Sequence, residues 1–244
     1  MQPLHFAATV GHLAILKRLV SVPQIDTGAL DALGHGAFYY SFVKGYEIMS
    51  RLLCGREDVY LNSRDRYAQT PLHHASENGH SGIVKLLLRL RAVEVNARDH
   101  DEQTPLMLAV NQGDSNTGEL LLKCPGVDAN VKTKGGWTTF MDGMLHYKGH
   151  EGVGKTLLRH PGFDANGQTE LGWTALIHAA SNGHEEVVDI LLQAPRTDLS
   201  ATGKDWMGNA HLTAVGHAHA GGHENVAEKL DKAMPRQRSL NLPG

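Results

Sequence analysis

Apolar residues recur along the chain in short stripes with helical spacing. In one stripe, Ile83, Val84, Leu87 and Leu88 follow the i, i+1, i+4, i+5 spacing that places side chains on one face of a helix. Polar segments separate the stripes, as at 95–103, 128–137 and 164–173. The pattern predicts pairs of short helices joined by polar turns, and therefore an all-α fold.

Seven copies of a ten-residue segment can be aligned with one another without insertions or deletions. Its copies begin at intervals of 34, 34, 34, 36, 34 and 39 residues, at Gly11, Gly45, Gly79, Gly113, Gly149, Gly183 and Gly222. The ninth position is leucine in every copy, at Leu19, Leu53, Leu87, Leu121, Leu157, Leu191 and Leu230. A fixed period of this length is typical of repeat arrays, in which each copy is one supersecondary unit. The chain is thus predicted to be a repeat array and not a globular enzyme.

The period alone fits two helical repeat types, since ankyrin repeats have about 33 residues and tetratricopeptide repeats about 34. The motif separates them: residues 70–75 read TPLHHA, and TPLMLA (104–109) and TALIHA (174–179) are close variants. Over nearly its whole length the sequence resembles the ankyrin repeat family, and GWTALIHAASNGHEEVVDILLQ most resembles the long ankyrin arrays of fungi. The resemblance implies an all-α solenoid of seven helix-turn-helix repeats with projecting β-hairpin-like turns.

The repeat frame gives approximate boundaries for the array. We expect it to occupy 1–234, with a disordered tail at 235–244 and repeats at about 1–33, 34–67, 68–101, 102–135, 136–171, 172–208 and 209–234. Repeat seven is expected to cap the array, because Lys229 and Asp231 replace apolar residues of the helix face that would contact a following copy.

Individual residues of the motif have physical roles. Thr70 is a good N-cap, and Pro71 at the first helical position lacks an N–H that would have no partner there. Five residues after each such threonine position the side chain is small, as at Ala75, which lets two helices approach closely. His73 is expected to form hydrogen bonds with Thr70 and neighbouring backbone, and not to act as a catalytic base.

One segment also fits a nucleotide-binding pattern. Residues 149–156 match the Gly-x4-Gly-Lys-Thr form of a phosphate-binding loop, which must follow a buried strand and open a helix. The preceding residues 140–150 contain no β-branched apolar run, and Gly154 shares its repeat position with Val84 and Val188. We therefore favour a second repeat helix here, with a nucleotide-binding switch as the alternative.

Histidines near the carboxyl end raise the possibility of a metal site. The candidates are His211, His217, His219 and His223. Their spacing matches no standard ligand pattern, and His223 shares its repeat position with His12, His80, His150 and His184. Repeat-derived histidines are the favoured interpretation, and metal binding near 211–223 is a second alternative.

Composition narrows the choice of partners. The net charge of -3 and pI near 6.6 give no basis for binding nucleic acid or an anionic membrane, which requires clustered Lys and Arg. The apolar runs are shorter than the roughly 20 residues of a membrane span. Two cysteines, Cys54 and Cys124, are too few for a disulfide framework. We expect an intracellular protein, cytoplasmic with a nuclear location left open, that has no cofactor, metal, catalytic residue or small-molecule substrate.

The resemblance places function on the variable surface. Ankyrin arrays generally bind protein partners on the concave face formed by turn tips and first helices, so we expect a non-catalytic interaction module or scaffold. Tryptophan is enriched in binding hot spots, which makes the residues just before the threonine position of repeats five and six prominent candidates. The candidate partner-binding residues are Arg66, Tyr67, Gln69, Glu77, Asn78, His100, Asp101, Gln103, Asn111, Gln112, Lys134, Trp137, Tyr147, Lys148, Glu170, Trp173, Ser181 and Asn182.

Overall fold

The computed structural model describes residues 2–56, 59–146, 150–194, 196–205, 208 and 210–240, which form fourteen helices and one two-stranded sheet. They divide into two compact units, unit 1 (Met1–Val127) and unit 2 (Asp128–Gly244). In these described ranges, no helix combines the length and apolar character needed to cross a membrane. The expectation of a helix-turn-helix repeat fold is confirmed.

Unit 1 contains four helix pairs stacked in two layers. The first helices contact one another in chain order, as do the second helices. The pairs are α1 (Pro3–Val10) with α2 (Leu13–Val20), α3 (Ala37–Val43) with α4 (Glu47–Cys54), α5 (Pro71–Glu77) with α6 (Ser81–Leu87), and α7 (Pro105–Asn111) with α8 (Ser115–Leu122).

Unit 2, taken by itself, contains three helix pairs of the same kind and a short hairpin. Its pairs are α9 (Thr139–His146) with α10 (Glu151–Arg159), α11 (Ala175–Ser181) with α12 (Glu185–Leu192), and α13 (Ala214–Ala220) with α14 (Glu224–Leu240). Strands β1 (Thr202–Lys204) and β2 (His211–Thr213) pair antiparallel, with Thr202 opposite Thr213. This hairpin is the turn that precedes α13.

Threonine opens several first helices in the predicted way. The Thr104 hydroxyl accepts from the Met107 N–H, and the Thr174 hydroxyl accepts from the Ile177 N–H. In α5 a histidine occupies the equivalent of Met107, and the side chain of this His73 is fully buried. Its Nδ1 accepts from the Thr70 N–H at 3.1 Å, which leaves Nε2 to donate to the Gln103 oxygen at 3.1 Å. The expected structural role of His73 is confirmed, and its second bond ties adjacent repeats together.

The glycine between the two helices of a repeat is required for two reasons. Gly45 and Gly183 adopt positive φ of 72° and 69°, which other residues rarely adopt. A Cβ atom would also lie 2.7 Å from His80 at Gly45 and 2.5 Å from His223 at Gly183. The glycine-histidine pair is therefore a packing contact between neighbouring repeats.

The core follows the two columns found in the sequence. Leucines of the repeated column are fully or almost fully buried from repeat two onward, at Leu53, Leu87, Leu121, Leu157, Leu191 and Leu230. Leu19 of repeat one is half-buried. Ala75, Ala109 and Ala179 of the small-residue column are also fully buried, as expected for closely packed helix pairs.

Asparagines join the loops of successive repeats within each unit. Asn130 donates from Nδ2 to the Gly162 oxygen (2.7 Å) and accepts at Oδ1 from the Asp164 N–H (2.8 Å). Asn62 makes the same pair of bonds to Ala92 and Glu94 in unit 1. Each side chain thus fixes the loop of the next repeat at two points.

The carboxyl-terminal helix differs from two expectations. α14 extends to Leu240, into the segment 235–244 for which a disordered tail is expected from the sequence, and 241–244 lie outside the described residues. Methionine, arginine, glutamine and leucine favour helix on both sides of Pro235. Lys229 was expected on the face open to a following repeat, but it contacts Asp189 of α12 at 2.9 Å. The lysine therefore pairs with the preceding repeat.

Candidate protein-binding surface

Seven of the candidate partner-binding residues line one groove in unit 1. The groove has a volume of about 780 Å³ and lies along the turns that precede α5 and α7. We call this the unit 1 groove and these two turns its tips. The candidates that line it are Arg66, Tyr67, Gln69, Glu77, His100, Asp101 and Gln103.

Seven further lining residues were not selected from the sequence. They lie in the turns or on the adjoining first helices, at Leu33, His35, Tyr39, Asp65, His74, Asp99 and Leu108. Asp65 and Asp99 could have been found from the sequence, because aspartate recurs at intervals of 34 residues, at Asp31, Asp65 and Asp99. Aspartate at the start of a turn is typical of a turn-forming residue, so the recurrence did not suggest a surface.

The two aspartates give both tips the same conformation. Asp65 Oδ1 accepts from the N–H groups of Tyr67 and Gln69, each at 2.9 Å. Asp99 Oδ1 accepts in the same way from Asp101 and Gln103, also at 2.9 Å. Side-chain bonds of this kind replace backbone bonds in turns, and here they hold the tip residues in fixed positions.

Direct hydrogen bonds join one tip to the other. The His100 N–H donates to the Tyr67 oxygen at 3.0 Å, and Gln69 Nε2 donates to Asp99 Oδ2 at 3.3 Å. His74 on α5 donates from Nε2 to Asp65 Oδ2 at 3.0 Å. The wall of the groove is therefore a bonded network.

The groove carries an excess of negative charge. Four of its lining residues are carboxylates, at Asp65, Glu77, Asp99 and Asp101, and one is a guanidinium, at Arg66. Burial raises the pKa of Asp65, but the hydrogen bonds from Gln69, Tyr67 and His74 outweigh burial and lower that pKa below its usual value. Asp65 is consequently ionised at neutral pH.

Aromatic rings supply the apolar part of the groove. Tyr39 stacks on His35 with ring centroids 3.8 Å apart and also meets the ring of His74 edge-on. Tyr67 is 52% exposed, and the Arg66 guanidinium lies 4.7 Å from the centroid of its ring. The surface combines exposed aromatic area with unlike charges close by.

The remaining candidates of unit 1 lie at the ends of first helices. Asn78 is exposed at the end of α5, and its Nδ2 donates to the His74 oxygen. Asn111 is half-buried at the end of α7, and Gln112, the next residue, is exposed. None of these three described residues lines the groove.

In unit 2 the two candidate tryptophans belong to a row of alternating rings. Trp137 and Trp173 lie 4.5 and 4.6 Å from the His178 ring, and Trp173 lies 4.6 Å from the His217 ring. The indole N–H of Trp173 donates to the Lys204 oxygen. Both tryptophans are half-buried. The two tryptophan rings therefore pack between repeats.

The other candidates of unit 2 are more dispersed. Lys134, Glu170 and Asn182 are exposed, and Ser181 is half-buried at the end of α11. Tyr147 and Lys148 lie outside the described residues.

Comparison with known proteins decides the family. A family model described as ankyrin repeats matches the chain in three copies, at residues 4–99, 44–133 and 143–233. The chain belongs to the ankyrin repeat family. Among curated proteins no match was found.

Two solved structures illustrate how closely this ankyrin repeat protein keeps the family fold. The ankyrin repeat domain of Bcl-3, a member of the IkappaB protein family, is 24% identical with a TM-score of 0.78, and the match covers 95% of this chain and 98% of that one. An ankyrin repeat domain from Acinetobacter baumannii AYE is 23% identical with a TM-score of 0.70, covering 79% and 97%. At these identities the likeness establishes the fold alone.

The nucleotide pattern lies within a helix of the ankyrin repeat protein. Gly154, Lys155 and Thr156 all belong to α10, which begins at Glu151. The Gly154 N–H donates to the His150 oxygen, and the Thr156 hydroxyl donates to the Gly152 oxygen. The Gly154 N–H and the Thr156 hydroxyl thus donate to backbone oxygens of the helix and of its N-cap. A phosphate-binding loop needs free N–H groups ahead of the helix.

The carboxyl-terminal histidines of the ankyrin repeat protein have separate contacts. His217 Nε2 faces the Gly203 oxygen at 3.3 Å, His219 Nδ1 faces Glu224, and His223 packs on Gly183. Across the described residues, no three His, Cys, Asp or Glu side chains are grouped so that they could hold a metal ion.

Proposed function

We propose that this ankyrin repeat protein is a non-catalytic interaction module that binds a protein partner on its turn tips and first helices. The observation that carries the proposal is the unit 1 groove, in which seven candidates chosen from the sequence line one cavity of about 780 Å³. Ankyrin repeats are a general protein-interaction module, and arrays of this type use the concave surface of stacked repeats.

The chemistry of the groove supports binding over catalysis. Asp65, Asp99 and His74 could in principle transfer protons, but each is engaged in holding a tip in place. A catalytic acid or base needs a proton-accepting or proton-donating atom directed at a substrate. Tyr67, by contrast, presents an exposed ring from a fixed backbone, as binding hot spots do.

Unit 2 carries a second proposed binding surface of its own. Lys134 and Glu170 are exposed at its turn tips, and the accessible parts of Trp137 and Trp173 lie on the same turns. Because the tryptophans also pack against histidines of the first helices, we propose that they combine a structural contact with a binding contact.

Capture of partners from the source organism tests the proposal. The immobilised chain is compared with a Tyr67→Ala/His100→Ala variant and with a Lys85→Ala control on the exposed face of α6. We expect the tip variant to lose specific partners, with an affinity loss of about 2 kcal/mol or more for a hot-spot aromatic, and the control to retain them.

The opposite pattern would contradict the proposal. Retention of every partner by the tip variant, together with loss in Lys85→Ala, would assign binding to the second helices instead. A Lys155→Ala variant is included in the same series, because loss of capture or of ATP binding in that variant would revive the nucleotide alternative.

A further inference from the structure

Two carboxylates in the unit 1 groove differ from the others. The carboxylates of Asp65 and Asp99 accept hydrogen bonds from N–H groups of the turns that they stabilise. Within the part of the chain that the structure describes, the carboxylates of Glu77 and Asp101 have neither a hydrogen-bond nor an ion-pair partner. Glu77 is half-buried and Asp101 is exposed. These two groups are therefore available to a ligand.

The guanidinium that lines the groove already contacts an aromatic ring. Arg66 is the single Lys or Arg among the described lining residues, and its guanidinium lies over the Tyr67 ring. Charges near a protein surface interact over several ångströms at an effective dielectric constant of about 20. The four carboxylates together therefore attract cations and repel the phosphates of nucleic acids and of acidic lipids.

The dimensions of the groove favour an extended chain. It is lined by residues of three successive turns, from Leu33 through Tyr67 to Asp101. Packed helical layers are about 10 Å apart, so three turns span about 20 Å. An extended peptide covers about 3.3 Å per residue, and about six residues would cross the groove.

We infer that the occupant of the unit 1 groove is an extended segment of a protein partner, about six residues long, that carries two or more Lys or Arg side chains. The cationic groups pair with Glu77 and Asp101, and their alkyl stems pack on the exposed ring of Tyr67. The inference rests on the proposed function and specifies the chemistry of the partner.

Three labelled octapeptides test the charge requirement on the full chain. One alternates arginine with serine, one alternates glutamate with serine, and one alternates leucine with serine. Binding is measured by fluorescence polarisation at about 50 mM and about 300 mM salt, since screening weakens exposed charge pairs. We expect the arginine peptide to bind most tightly and to lose affinity at the higher salt concentration.

Matched variants locate the contact. Glu77→Gln/Asp101→Asn removes two charges from the groove, and Glu186→Gln/Asp231→Asn removes two exposed charges from unit 2. The groove variant should bind the arginine peptide about fivefold more weakly, as two exposed ion pairs predict, while the unit 2 variant should bind like the wild type. An equal loss of affinity in both variants would show that the peptide responds only to the net charge of the protein, and would overturn the inference.

The peptide series separates this inference from the proposed function. If the leucine peptide binds best and Tyr67→Ala abolishes its binding, the cationic partner is wrong and the groove remains a partner site. If the arginine peptide does not bind at about 1 mM, or binds equally well to the groove variant, the inference is overturned. Whichever of these outcomes is found, partner capture by the Tyr67→Ala/His100→Ala variant still decides the proposed function.

Discussion

His73 on α5 donates from Nε2 to the backbone oxygen of Gln103, 3.1 Å away in the turn of the next repeat. Its other ring nitrogen accepts from the N–H of Thr70, the residue that opens its own helix. One fully buried imidazole thus satisfies two backbone groups that belong to different repeats. The bond makes the stability of α5 depend on the position of the following turn.

Replacing His73 by methionine should destabilise the protein by about 1–3 kcal/mol. Methionine occupies the equivalent position in α7, at Met107, so the side chain fits a repeat of this kind. The loss arises because the buried Thr70 N–H loses its acceptor, and the Gln103 oxygen keeps the Asp99 N–H but loses the histidine donor. A buried donor left unsatisfied costs about 1–3 kcal/mol. Urea unfolding measures this loss, with His211→Met, at an exposed position of strand β2, as the control.

The same substitution should remove part of the pH dependence of stability. Burial lowers the pKa of His73 below the 6.5 of a free histidine. As pH falls, the unfolded chain therefore binds a proton at His73 before the folded chain does. The contribution of neutral His73 to the free energy of unfolding is complete above about pH 6.5 and is lost as pH falls toward the pKa of His73 in the folded state. The free energy of unfolding should fall from about pH 7 to about pH 5 more steeply in the wild type than in His73→Met. Parallel curves would show that His73 does not titrate differently in the two states.

Asn130 provides a second test of contacts between repeats. Asn130→Ala removes both bonds to the next loop and should cost about 1–2 kcal/mol. Asn130→Asp keeps an acceptor for the Asp164 N–H but loses the donor to the Gly162 oxygen. Its unfolding free energy should lie between those of the wild type and Asn130→Ala. A loss in Asn130→Asp as large as that in alanine would assign all of the effect to the Gly162 bond.

The turn tips contain a position at which glycine should stabilise the protein. Ala68 has a φ of 62°, a left-handed conformation that glycine adopts without steric cost, and glycine occupies the equivalent position at Gly34 with a φ of 78°. Ala68→Gly should raise the unfolding free energy by about 0.5–1 kcal/mol. Gly34→Ala should lower it by a similar amount through strain alone, because no atom lies within 4 Å of the added Cβ. Changes of the same sign in the two variants would contradict the backbone explanation.

Trp173 of unit 2 should contribute to the stability of the protein. The Trp173 ring packs at a tilt against the rings of His178 and His217, and its indole N–H donates to the Lys204 oxygen. Trp173→Ala should therefore cost about 2–3 kcal/mol, below the roughly 3–5 of a fully buried aromatic. Leu171→Ala on an exposed tip should change the unfolding free energy little. An unchanged melting temperature in Trp173→Ala would show that the ring row carries no stability.

Much of the fold was predictable because the repeat imposes the same physical requirement seven times. A glycine in the left-handed conformation, a small residue between helices and a leucine in the core each appear as a column. The tail was not predictable in this way, because no second copy shows how α14 ends. Lys229 was misassigned because its pairing with Asp189 depends on the rotation of two helices about their axes.

The unit 1 groove was predictable only in part. Tip residues such as Tyr67 and Asp101 were found because the repeat frame marks the most variable positions. Tyr39 and His74 were missed, since their side chains reach the groove from helices that the sequence assigns to the core motif. The packing of Trp173 across repeats was missed for a similar reason, because the distance to His217 depends on how the repeats stack.

Site-specific photocrosslinking tests the binding account most directly. A photoreactive phenylalanine analogue is placed at Tyr67 in one version of the chain and at Lys85 in another, and crosslinked partner peptides are identified by mass spectrometry. The account predicts crosslinks from position 67, to a segment rich in Lys or Arg, and none from position 85. Crosslinks from position 85 with none from position 67 would contradict it.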